Sequence, residues 1–114
     1  MLELKNVRFA GLISNYGNLY VGGFKEGIDP YESNEKRRLM YMRFALESSF
    51  RNDFDGSLGE FKNSIIQRAN VSIITMNICS YLLLVFADPD IDTKVLLHRL
   101  ESIIKNKQKS FSNL

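Results

Sequence analysis

Three carboxylates spaced two apart, Asp88, Asp90 and Asp92, follow directly on the apolar run Tyr81 to Ala87. Such spacing invites a divalent cation, because calcium loops draw oxygen ligands from alternate positions. A calcium loop begun at Asp88 needs glycine at its sixth position and a bidentate glutamate at its twelfth, where this chain has Thr93 and Arg99. A loop begun at Asp53, in the stretch DFDGSLG, fails in the same way and ends at Ser64. The chemistry left to the three aspartates is electrostatic. Pro89 stops the strand, Asp92 stands where it can cap a following helix, and Asp90 adds charge near that helix's positive end. The acidic stretch is therefore expected to be a strand-to-helix junction.

The remaining reactive side chains are sparse. His98 is the sole histidine and shares the polar face of the last helical segment with Lys94 and Glu101, so it lacks the oriented base and nucleophile of a triad. Cys79, the sole cysteine, is expected as a small buried or half-buried residue beside a strand turn; it excludes an internal disulfide and a multi-cysteine metal site. Lys36, Arg37 and Arg38 open a helical segment at the end where cations meet the dipole unfavourably, a misfit compatible with a solvated helix start or with an acidic or phosphate partner. Phe9, Tyr20 and Phe24 fall in strands without the lysine and arginine rhythm of a base-stacking sheet, which argues against nucleic acid. No catalytic, cofactor-binding or metal-ligating residue is nominated.

Those residues must be positioned by a single domain, since 114 residues suffice for one core. Hydrophobic content of 45% with 25% charged residues is that of ordinary globular chains. The longest apolar run falls far short of the roughly 20 residues that span a bilayer as a helix. The N-terminal MLELKNVRF has no signal-peptide pattern, and with the cysteine count it places the protein in the cytoplasm. Net charge is +2, yet Lys105, Lys107 and Lys109 lie in the last ten residues, leaving 12 basic against 13 acidic groups in residues 1–104. The expected organisation is a domain over 1–104 and a basic, frayed tail over 105–114.

Val7 to Ser14 and Leu19 to Phe24 read as a hairpin turned at Asn15 to Asn18, with Gly22 and Gly23 marking a bulge or a close backbone approach. Ser33 or Asn34 can cap a helix over about Glu35 to Arg51, with Leu39, Met42, Leu46 and Phe50 on one apolar face and Met40, Phe44 and Ala45 widening it. That face is broad enough for a sheet and a second subunit. DFDGSLG reads as a loop. Three strands follow, about Glu60 to Arg68, Val71 to Asn77 and Ser80 to Ala87, joined so tightly that they must form an antiparallel meander. A last helix, about Thr93 to Lys105, turns Leu96, Leu97, Leu100, Ile103 and Ile104 to the core. Because strand five is apolar throughout, both its faces must be covered. The fold class is α+β: a five-stranded antiparallel sheet in the order ββαβββα, with helices on both faces.

This pattern, from VRFAGLISNYGNLYVGGF through the long helix to SIIQRANVSIITMNICSYLLLVFADPDIDTKVLLHRLESI, resembles the roadblock/dynein light-chain family and its profilin-like and longin-like relatives over about residues 7–104. Gly11, Ser14, Gly17 and Leu19 carry the likeness in the first hairpin, and Phe86 to Lys94 carries it in the acidic passage to the last helix. The chain departs from the family in having too few residues, Met1 to Asn6, for a substantial helix before the first strand; that leaves a longin-like arrangement open. The resemblance implies a non-catalytic scaffold that dimerises and engages small GTPases or their regulators, and it carries over no catalytic residues. A homodimer would use the edge strand Phe61 to Arg68, with Phe61, Ser64, Ile65, Ile66 and Arg68, together with the helix face bearing Met40 and Phe44. A second reading is a profilin-like sensory domain with a small ligand between sheet and central helix. It requires an apolar pocket with convergent polar groups, whereas a scaffold should be filled solid. A third is attachment to nucleic acid or lipid through the basic tail.

Overall fold

The computed structural model describes residues 4–112. Strands β1 (Val7–Ile13) and β2 (Leu19–Phe24) precede helix α1 (Asn34–Asn52), the single turn α2 (Asp55–Leu58), strands β3 (Asn63–Gln67), β4 (Ser72–Ile78) and β5 (Tyr81–Ala87), and helix α3 (Thr93–Ser112). All strand pairs are antiparallel and the sheet order is β2-β1-β5-β4-β3, so β5 is central and β2 and β3 are the edges. The short turn α2 falls where a loop was expected. Helix α3 continues to Ser112 instead of ending near Lys105, because nothing in the polar, proline-free tail breaks it. The expected fraying at residues 113 and 114 lies outside the described residues. Among residues 4–6, Leu4 closes a turn by accepting a 3.2 Å hydrogen bond from the Val7 amide, and no helix precedes β1 there.

Both faces of the sheet are covered, as the uninterrupted apolar run of β5 requires. Leu83, Val85 and Ala87 join Ala10, Leu12, Ile74, Met76 and Ile78 in a core closed by Leu96, Leu100 and Ile104 of α3. Leu82, Leu84 and Phe86 join Phe9, Ile13 and Ile73 on the opposite face under Tyr41, Phe44 and Ala45 of α1. Strand β1 would break this alternation at Val7, which shares parity with Phe9. A bulge resolves the conflict: Val7 stands opposite Ala87 and Phe9 opposite Phe86, so the extra residue, Arg8, lets Val7 turn to the α3 side.

Local chemistry sets the helix boundaries. The Ser33 hydroxyl accepts from the Lys36 amide at 3.3 Å, which settles the cap between Ser33 and Asn34. The Asp92 carboxylate accepts from the amides of Lys94 at 3.0 Å and Val95 at 3.2 Å, making it the cap of α3. In the first hairpin the Ser14 hydroxyl accepts from the amides of Tyr16 and Asn18, and Gly17 lies at φ +83° with its Cα facing the α1 backbone: a Cβ there would stand 2.5 Å from the Met42 Cα. At Gly22 a Cβ would fall 2.1 Å from the Ala10 carbonyl oxygen, so the close backbone approach expected of this glycine is its role. Of the residues that carry the family likeness, Ser14 closes the hairpin turn and Gly17 lets that turn approach α1.

Candidate functional site

Helix α1 presents two apolar rows, and the sheet takes the less obvious one. Tyr41, Phe44, Ala45 and Ser48 are buried, spaced three and four apart. Their register is fixed by the Phe9–Tyr41 ring stack, with centroids 5.7 Å apart, and by the Ser48 hydroxyl donating to the Asn77 side-chain oxygen at 3.3 Å. Of the broad face read from the sequence as able to serve a sheet and a second subunit, the central row lies outside: Leu39 is 60% exposed, Met42 53%, Leu46 56% and Phe50 60%. Two aromatic rings and two small residues fit the narrow space over a sheet already filled by Phe9, Leu84 and Phe86, which four long side chains would overfill. Tyr16 at the tip of the first hairpin is also exposed, alongside this outer row.

The expected interface residues separate accordingly. Phe44 is buried against the sheet and is corrected from a surface residue to a core residue; Met40 is half-buried at the helix flank. Strand β3 pairs with β4 on one side only, leaving its other edge open among the described residues. Along it, Ile66 packs toward α1, Ile65 stands on the opposite face and is partly exposed, and the Ser64 hydroxyl is hydrogen-bonded to that of buried Thr75. Phe61 lies under the Arg51 guanidinium, 5.0 Å from the ring centroid, and Arg68 is exposed at the turn into β4. Ser64 and Ile66 are thus anchored inward, while the open backbone and Ile65 face outward.

The chemistry-bearing residues of the sequence are dispersed. Asp88 lies 3.8 Å from the Arg8 guanidinium, Asp92 caps α3, and among the described residues no three His, Cys, Asp or Glu side chains are placed to hold a metal. His98 is on the surface. Cys79 is exposed, not buried or half-buried, because it forms the turn between paired Ile78 and Tyr81 in the left-handed region at φ 54°. Arg37 is held by the Phe24 ring and the Glu32 carbonyl oxygen, which removes it from the basic trio at the helix start. A cleft of about 360 Å³ opens between the first half of α1 and the end of the sheet, so the space beneath the helix is not filled solid, as the small-ligand reading requires; its lining residues were not nominated from the sequence.

Sheet order, helix placement and this hairpin closure define the roadblock class of α+β fold. Solved structures agree. A roadblock/LC7 domain from Streptomyces avermitilis superposes with a TM-score of 0.70 at 15% identity, covering 96% of this chain and 89% of that one. MglB from Myxococcus xanthus gives 0.72 at 18% identity, covering 96% and 86%. The gliding protein mglB from Thermus thermophilus gives 0.63 at 17%, covering 83% and 71%. Within that fold the chain belongs to DUF6659, a family of unknown function, whose sequence model matches residues 1–113. No curated protein matches it in sequence.

Proposed function

We propose that this protein is a non-catalytic interaction module that forms a homodimer and serves small-GTPase-linked regulation or assembly in the cytoplasm. The observation that carries the reading is the coincidence, on a roadblock fold, of an open, regular edge at β3 with an exposed apolar row on α1. Exposed edges and apolar rows of this kind are liabilities in a monomer and assets in an assembly. An MglB structure of the same fold is described with a tetrameric arrangement. The two edges of the sheet differ in a way that favours β3: its five pairs with β4 run without a break, whereas β2 carries a register shift and has Gly22 at φ 108°. Two copies joined edge to edge at β3 would continue the sheet and set their α1 helices side by side on one face.

Light scattering of the purified protein should give twice the chain mass at micromolar concentration, and Ile65→Lys, which puts a charge on the open edge, should give the single-chain mass. The GTPase link is tested separately by retaining nucleotide-loaded cell extract on the immobilised protein. Retention of a GTP-binding protein that changes between GDP and a non-hydrolysable GTP analogue, and is lost in Leu46→Asp, is the expected result. A monomer in the first experiment refutes the assembly, and nucleotide-independent retention refutes the GTPase role.

A further inference from the structure

The cleft under α1 is walled by strand, helix and turn segments that meet where β1 begins, β5 ends and β3 turns into β4. Its floor is apolar, formed by Phe44, Ile73 and Phe86, all buried, with Phe24 beside them. Its mouth is polar and bears three guanidinium groups, Arg8, Arg43 and Arg68. Arg8 is held in place: it lies 4.6 Å from the Tyr31 ring centroid, donates to the Asp29 carbonyl oxygen at 3.5 Å and is paired with Asp88. Arg43 and Arg68 have no acidic partner among the described residues. An aromatic floor under unpaired, fork-shaped donors matches a ligand with an apolar body and a planar oxyanion head. The charge balance narrows the head. Glu32 and Glu47 line the same cleft, Asp88 is paired with Arg8 and Arg51 with Glu47, so these four cations exceed the three carboxylates by one, suited to a monoanion and hostile to a polyphosphate. The volume lies at the small end of ligand sites.

A neighbouring copy of the chain does not account for this cleft. A partner helix beside β3 would meet the Met40 and Arg43 flank, but Arg8, Phe24 and Tyr31 lie on the β1 and β2 side, beneath and beyond α1. We propose that the cleft binds a small amphipathic monocarboxylate, its apolar body on Phe24, Phe44, Ile73 and Phe86 and its carboxylate held at the mouth by Arg43 and Arg68. All of these groups belong to one chain, and because Arg43 and Arg68 stand on the flank that a second copy would approach, the site is tested in the single-chain Ile65→Lys protein as well as in the parent.

Octanoate is the probe, titrated into the full-length protein below its micellar concentration, with 1-octanol and octyl phosphate as controls and methyl NMR as the readout. Octanoate should bind saturably and shift the methyl signals of Ile66, Val71 and Ile73, more tightly than either control. In the single-chain Ile65→Lys background the exposed pair Arg43→Ala and Arg68→Ala should leave the melting temperature unchanged while weakening octanoate about tenfold singly and about a hundredfold together, with octanol unaffected. The Ile65→Lys protein should bind octanoate as the parent does. Equal binding of octanol and octanoate, tighter binding of octyl phosphate, undiminished binding in the double variant, or failure of octanoate to bind would each overturn the proposal. So would loss of binding in Ile65→Lys alone, which would mean that a second copy completes the site; the dimer reading would survive all of these.

Discussion

Two residues in the left-handed region of backbone space have opposite consequences. Cys79 adopts φ 54° in the β4–β5 turn with an exposed side chain, so its Cβ strain is not offset by packing. Cys79→Gly should raise stability by about 0.5–1 kcal/mol, seen as a higher urea midpoint at unchanged slope. Gly17, at φ +83°, faces the Met42 backbone, and Gly17→Ala should cost more than about 1 kcal/mol in the same assay because strain and a clash add. Tyr41 supplies a pH signature. Burial pushes its phenol above the ordinary value of 10.0, an effect that Arg37 opposes and Glu32 reinforces. The native state therefore holds that proton more tightly than the unfolded chain. Its contribution is complete below about pH 10 and is lost as pH rises through that value toward the folded one. Alkaline unfolding should be shallower for Tyr41→Phe, which has no proton to lose.

At the scale of elements, helix α1 shows what a sequence discloses and what it withholds. Strands β2 and β5 were legible to within a residue because β-rich runs bounded by Asn, Gly and Pro admit little else, and the cap at Asp92 followed from its place after Pro89. The seating of α1 was not legible. Leu39, Met42, Leu46 and Phe50 form the more hydrophobic row, yet seating is decided by what fits over the sheet, and that depends on Phe9, Leu84 and Phe86 from distant strands. A ligand site between sheet and central helix was one reading of the sequence, but its lining was hidden for the same reason, since Arg8, Arg43 and Arg68 are far apart in sequence and come to one cleft only in the fold. The seating is checked by paired truncations. Phe44→Ala should cost about 3–5 kcal/mol and Leu46→Ser less than about 0.5 kcal/mol in the Ile65→Lys background. Comparable costs for both would show that the two rows share the core.

At the scale of the whole molecule, the fold leaves two sheet edges open among the described residues, and only one has the regularity to be shared. Backbone groups along β3 are hydrogen-bonded to β4 on one side, so the other side requires either water or a second strand. If a second copy supplies that strand, folding and association are linked, and the apparent stability must rise with protein concentration. The melting temperature of the parent protein should therefore increase over a hundredfold range of concentration, while that of Ile65→Lys should not move. Leu46→Asp separates the two surfaces. Should the outer row of α1 be reserved for another partner, the variant keeps the parent's concentration dependence. Should the row be buried between the paired helices, the charge abolishes that dependence as completely as the edge substitution does. A parent protein whose melting temperature ignores concentration, and whose β3 amides exchange with solvent as fast as an unpaired edge, would place the open edge in water and remove the basis for assembly through it.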